Sequence, residues 1–84
     1  MNADTDTLML ITNRLIAFLE NGNHIAVIGL SLFEYDAQYK VLAAHGYDAD
    51  SDYAYCVETL VSMGIAKHST HLAQPVIVAT RPRK

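Results

Sequence analysis

Residues 50–69, DSDYAYCVETLVSMGIAKHS, hold the most informative pattern of the chain. Apolar side chains recur there at spacings of three and four, which is typical of a helix with one buried face. They are Tyr53, Cys56, Val57, Leu60 and Val61. Asp50 or Ser51 is suited to cap the start of this helix, and Gly64 is suited to end it. The stretch therefore predicts a helix that leads directly into a strand.

A helix and a strand are predicted at the N-terminal end of the chain. The helix begins near Asp4 or Asp6, whose carboxylates suit an N-cap, and it ends at Asn21-Gly22, where glycine fits the left-handed position. Residues 24–30 are apolar and partly β-branched, and the run is short. Length and composition favour a buried strand over a helix.

A second helix is predicted between this strand and the helix of residues 50–64. Ser31 and Glu34 match a capping box, in which the serine side chain accepts from the backbone N–H of Glu34 and the glutamate side chain accepts from the backbone N–H of Ser31. The helix then runs to about Ala44, and Gly46 ends it. Its buried side chains are expected to be Tyr35, Tyr39, Leu42 and Ala43.

The C-terminal part of the chain predicts a β-hairpin. Residues 65–69 are a plausible first strand, residues 70–75 a polar loop, and residues 76–80 a strongly β-forming second strand. Pro82 stops any extension of the second strand. The hairpin completes the element order helix, strand, helix, helix, strand, strand, which is an α+β fold.

This order resembles the winged helix-turn-helix fold. The resemblance is carried mainly by residues 50–69, where a leucine, three further residues, glycine and isoleucine (Leu60 to Ile65) lead from the third helix into the first strand of the wing. It implies that the third helix would enter the major groove of DNA and the wing would lie beside the backbone. We expect one domain over residues 1–84, with flexible ends at residues 1–4 and 81–84.

Composition favours an intracellular protein. Cys56 is the single cysteine and cannot close an intrachain disulfide, the usual reinforcement of small secreted domains. Asp4 and Asp6 stand where a secretory signal would carry basic residues. The apolar stretch from Leu8 to Leu19 is too short to cross a bilayer. We therefore expect a cytoplasmic location.

Charge is distributed unevenly and conflicts with what the resemblance implies. All nine acidic residues lie within residues 1–80, where they face three basic ones, and the other three basic residues are Arg81, Arg83 and Lys84. The expected outer face of the third helix carries Asp52 and Glu58 and no basic residue. DNA recognition needs cationic contacts with phosphates, so such a face would repel DNA.

The preferred interpretation is therefore a small non-catalytic module that binds another protein. Exposed tyrosines among acidic residues suit contact with a basic or nucleic-acid-binding protein. The residues expected to form this surface are Tyr47, Asp48, Asp50, Asp52, Tyr55 and Glu58. By analogy of size and charge alone, an inhibitor encoded by a phage or mobile element, such as an anti-CRISPR protein, is one form of this function.

A DNA-binding transcriptional regulator that acts as a homodimer is the alternative. Phosphates would be held by the wing and the tail, through Lys67, Arg81, Arg83 and Lys84. An apolar edge of the first helix, such as Leu10 and Ile16, would then join the two subunits.

Enzymatic or metal chemistry is not expected. Cys56, His45, His68 and His71 are zinc-ligand types, but their spacing matches no standard site, and residues three apart on a strand point to opposite faces. Cys56 lies on an apolar stripe, which favours a buried structural thiol over a nucleophile. No cofactor is predicted. Whether the histidines, His24 included, respond to pH is left open by the sequence.

Overall fold

The computed structural model describes residues 1–28, 31–32 and 37–83. Within these ranges three helices lie at Thr5–Glu20 (α1), Ala37–Ala44 (α2) and Ala49–Ser62 (α3). The same described residues form four strands, at Ile25–Ile28 (β1), Ser31–Leu32 (β2), Ala66–His71 (β3) and Gln74–Ala79 (β4). They form one antiparallel sheet in the order β2-β1-β4-β3. No helix within the described ranges has the length and apolar character needed to cross a membrane.

The predicted α+β class and the C-terminal β-hairpin are confirmed. The β1 strand pairs with β2, its neighbour in sequence, and also with β4, from which it is separated along the chain by the elements β2, α2, α3 and β3. This pairing stops at Val76 on β4, and the next residue towards the turn is Pro75, which has no backbone N–H to donate. Beyond that point Val27 and Ile28 pair with β2 instead.

Local signals placed the first helix correctly. Asp4 is its N-cap, and the Asp4 carboxylate accepts a hydrogen bond of 2.7 Å from the backbone N–H of Thr7. Gly22 follows the helix with a φ of 92°, the left-handed conformation that favours glycine. The stripe of Ile11, Leu15 and Leu19 is buried, as its spacing predicts.

The predicted start of the second helix is wrong. Ser31 and Leu32 both belong to β2, so the residue after the proposed cap is extended and no helix begins there. The helix α2 begins six residues later, at Ala37. Pairing with β1 therefore overrode the local capping signal. The proposed partner of the capping box, Glu34, lies outside the described residues, as do Phe33 and Tyr35.

The predicted loop of the hairpin is also wrong. Residues 70–71 and 74–75 are paired strand residues, with Thr70 opposite Pro75 and His71 opposite Gln74. The connection is a two-residue turn made by Leu72 and Ala73, with φ angles of 50° and 64°. Two-residue hairpin turns usually carry asparagine and glycine at these positions. Because Leu72 and Ala73 stand there instead, the sequence does not predict the turn.

One core joins all three helices to the sheet. Tyr53, Cys56 and Leu60 of α3 are fully buried at its centre, as their spacing predicts. The surrounding helices and strands add the buried residues Ile11, Leu15, Leu19, Leu42, Ile25, Ala66, Ile77 and Ala79. Because α3 packs against α1, α2 and β3, one long side of this helix faces solvent and the other is inaccessible.

The N-terminal residues contact the first turn of α3. Ala3 is buried, and the carbonyl of Met1 accepts a hydrogen bond of 2.7 Å from the backbone N–H of Asp48. At the other end, the backbone N–H of Arg83 donates to the carbonyl of Glu20 at 2.7 Å. Met1 and Arg83 are thus each bonded to the backbone of a residue at the end of a helix.

Candidate protein-binding surface

The solvent side of α3 carries acidic and aromatic residues together. Successive helical residues turn by about 100°, which places Ser51, Tyr55, Glu58 and Ser62 on one stripe. All four are exposed, and Tyr55 is 60% exposed. Asp50 is exposed beside this stripe in the first turn. We call these five residues the acidic face.

Asp50 is held in place from the neighbouring helix. The hydroxyl of Tyr39 on α2 donates a hydrogen bond of 2.8 Å to the Asp50 carboxylate. Tyr39 in turn contacts the edge of Tyr53, with ring centroids 6.0 Å apart. A carboxylate fixed by a half-buried tyrosine loses less conformational entropy when a partner binds than a freely rotating one.

Asp52 was expected on the same outer face and is not there. It is only 3% exposed, and its carboxylate accepts a hydrogen bond of 2.7 Å from the backbone N–H of Ala3. The N-terminal segment, 49 residues away in sequence, covers this side of α3. Asp52 therefore has a structural partner and offers no charge to a binding protein.

Tyr47 and Asp48 occupy the connection between α2 and α3. Tyr47 is half-buried against the core, and its ring stacks on that of His45 with centroids 6.2 Å apart. Asp48 is exposed at the N-cap of α3, where its side chain makes no capping hydrogen bond. Both residues lie near the first turn of α3, next to Asp50 rather than next to Glu58.

An apolar groove between α1 and α3, which was not predicted from the sequence, borders the acidic face. Its volume is about 320 Å³. Met9 and Ile16 of α1 form one wall, while Tyr55 and Met63 of α3 form the other. Met9 is 58% exposed and Met63 is 65% exposed. The seven-residue spacing of Met9 and Ile16, off the main stripe of α1, was the available signal.

The four basic residues expected to contact phosphates have different surroundings. Lys67 on β3 and Arg81 after β4 are exposed. Arg83 is exposed as well, with its Nε atom 3.6 Å from a carboxylate oxygen of Glu20. Lys84 lies outside the described residues. The β3-β4 hairpin and residues 81–83 thus present cations, while the acidic face and the walls of the groove present none.

Leu10 and Ile16 do not form the single apolar edge expected of a dimer helix. Ile16 lines the groove against α3, whereas Leu10 lines a separate cleft between α1 and α2 together with Arg14 and Val41. The six-residue spacing accounts for this, because it separates the two side chains by about 120° around the helix. A dimer contact would involve one or the other.

The histidines and the cysteine belong to no cluster of three or more histidine, cysteine, aspartate or glutamate side chains suited to a metal ion within the described ranges. His24 and His71 form a pair, with ring centroids 4.5 Å apart. Cys56 is buried, and its Sγ atom lies 3.6 Å from the carbonyl oxygen of Leu8.

The chemistry of the Cys56 thiol follows from its surroundings. Burial raises its pKa above the usual 9.0, a hydrogen bond with Thr12 lowers it, and the nearby Asp52 carboxylate raises it again. The net direction is upwards, so the thiol stays protonated at neutral pH. The geometry is that of a packed core side chain.

Comparison of the chain with family models, with curated proteins and with solved structures gave no match.

Proposed function

We propose that this protein is a small non-catalytic module that binds a basic protein through the acidic face of α3. The observation that carries the proposal is the composition of that face, where Asp50, Tyr55 and Glu58 are exposed and no basic residue occurs on the helix. Tyrosine supplies a large apolar contact with a polar tip, and the carboxylates complement lysine and arginine.

Charge outside the face supports the same partner class. Asp48 adds a further exposed carboxylate at the start of α3. A positively charged partner would be attracted at a distance and oriented by these groups, which raises the rate of association. Nucleic acid would be repelled from the same surface.

Affinity capture from cells of the source organism, read by mass spectrometry, tests the proposal. Neutralising the face by Asp50→Asn with Glu58→Gln should release the captured protein. The matched control, Thr70→Lys with Gln74→Lys, changes the net charge equally but lies on the exposed wing hairpin. Asp52 is left unchanged because it is buried. Equal capture by both variants would exclude the acidic face as the binding site.

DNA binding is a second candidate because the β3-β4 hairpin presents an exposed Lys67, and the exposed Arg81 follows two residues after the end of β4. In that case the wing and tail, rather than α3, would contact phosphates. Removing residues 81–84 should weaken binding equally for all sequences and reduce its dependence on salt. A mobility-shift titration at low salt that shows no complex would eliminate this candidate.

A further inference from the structure

The groove between α1 and α3 has the dimensions of a seat for a short helix. Its α1 wall extends from Thr5 to Ile16, which is about 16 Å at the rise of an α-helix. Three turns of a partner helix would cover that length. Along the opposite wall, Tyr55, Thr59 and Met63 recur every four residues.

The walls limit what backbone an occupant can have. They are helices, so their backbone N–H and C=O groups are already bonded within α1 and α3 along most of the groove. An extended peptide would gain no ladder of hydrogen bonds there and would leave its own backbone groups unpaired. A helical occupant satisfies its own backbone and needs only apolar side chains to fill the groove.

The lining is apolar and adaptable. None of the described residues that line the groove is charged. Met9 and Met63, both more than half exposed, place flexible thioethers at its two walls. Methionine side chains repack around partners of different shape, which is why they are frequent in grooves that accept amphipathic helices.

Charges beside the groove decide between a basic partner and a second copy of this chain. Asp6 lies one turn before Met9, and Glu58 lies about one turn after Tyr55, so both rims carry a carboxylate. Arg14 lies on another side of α1, in the cleft towards α2. A second copy would bring its own excess of acidic residues to these rims.

We infer, building on the protein-binding function proposed above, that the groove accepts an amphipathic helix of the basic partner. The apolar side chains of that helix fill the space between Met9 and Met63. Its flanking lysine or arginine side chains pair with the carboxylates of Asp6 and Glu58. The acidic face and the groove then form one continuous binding surface around Tyr55.

Methyl NMR tests the inference directly because the chain has three methionines. Met9 and Met63 line the groove, while Met1 does not and serves as the internal reference. The probe is a synthetic amphipathic helix of about 15 residues, enough for four turns, with leucines on one side and lysines beside them. The Met9 and Met63 methyl signals should shift in a saturable way, and the Met1 signal should not.

Two further binding measurements test the charge of the occupant and its position in the groove. A probe with glutamates in place of lysines should bind at least about tenfold more weakly, because the rims repel it. Asn13→Arg, an exposed position on the groove wall, should abolish binding of the lysine probe, whereas the charge-matched Thr70→Arg on the wing should not. Equal binding of both probes, or no effect of Asn13→Arg, would overturn the inference.

The remaining outcomes separate this inference from the proposed function. A concentration-dependent shift of Met9 and Met63 without any probe would indicate a second copy in the groove and overturn the basic occupant. A captured partner that tolerates Asn13→Arg but is lost with Asp50→Asn and Glu58→Gln would remove the groove and leave the acidic face standing. A captured partner that is lost with Asn13→Arg but tolerates Asp50→Asn with Glu58→Gln would remove the acidic face and leave the groove standing.

Discussion

The carboxylate of Asp52 accepts a hydrogen bond of 2.7 Å from the backbone N–H of Ala3, and both residues are buried. The bond joins the N-terminal segment to α3 across 49 positions of sequence. It also removes one acidic group from the surface that the sequence alone would assign to binding. Asp52 therefore stabilises the fold, whereas Glu58 is exposed on the acidic face.

Substitution Asp52→Ala should destabilise the protein by about 1–3 kcal/mol, because the buried N–H of Ala3 loses its acceptor. Chemical denaturation measures the loss. Glu58→Ala, on the exposed side of the same helix, should change the free energy of unfolding by less than about 0.5 kcal/mol. Equal effects of the two substitutions would contradict the structural role of Asp52.

Stability at low pH should depend on Asp4. Hydrogen bonds from the Thr7 hydroxyl and then from its backbone N–H hold the pKa of Asp4 below the usual 3.8. Because the folded pKa is lower than the unfolded one, this contribution is complete above the unfolded pKa and is lost as pH falls through the folded pKa. Asp4→Asn keeps the cap but cannot titrate.

Acid denaturation of wild type and Asp4→Asn makes this comparison. The difference in free energy of unfolding should be constant above about pH 5 and should change against the wild type as pH falls below about 4. A difference that stays constant down to pH 2 would show that the Asp4 carboxylate gains nothing from Thr7.

The turn of the β3-β4 hairpin should be a position where substitution stabilises the protein. Leu72 and Ala73 both have positive φ, a conformation that disfavours side chains, and Leu72 is 84% exposed with nothing gained by burial. Replacing the pair by Leu72→Asn with Ala73→Gly should stabilise the protein by about 1 kcal/mol. Leu72→Ala keeps the strained backbone and should not. A thermal denaturation series in which both variants behave alike would contradict this geometry.

The Cys56 thiol should be unreactive in the folded protein. It is fully buried, and burial raises its pKa, so both access and thiolate content are low. Reaction with an aromatic disulfide reagent at pH 8 should be at least about 100-fold slower than in denaturant. Fast reaction of the native protein would show that the packing between α1 and α3 opens readily.

Local chemistry made much of the fold predictable. Asp4 caps α1, and Gly22 and Gly64 end helices with positive φ, since each of these roles depends on a few neighbouring residues. The stripe through Tyr53 and Leu60 likewise identified the buried side of α3 from its own spacing.

Pairing and packing between elements account for what was not predictable. Ser31 has a capping signal, yet it pairs with Ile28 in a strand. Asp52 is predicted to be exposed, but in the fold the N-terminal segment covers it. The groove needs two helices side by side, so neither Met9 nor Met63 reveals it alone. Each depends on packing that periodicity does not encode.

Site-specific photo-crosslinking tests most directly whether the acidic face of α3 contacts a protein. A photoreactive amino acid replaces Ser62, exposed on the acidic face, or Thr70, exposed on the wing, and the protein is irradiated in cells of the source organism. Ser62 should yield a covalent adduct with a basic protein, and Thr70 should yield neither protein nor DNA. Adducts with DNA from Thr70, and none from Ser62, would contradict the protein-binding function.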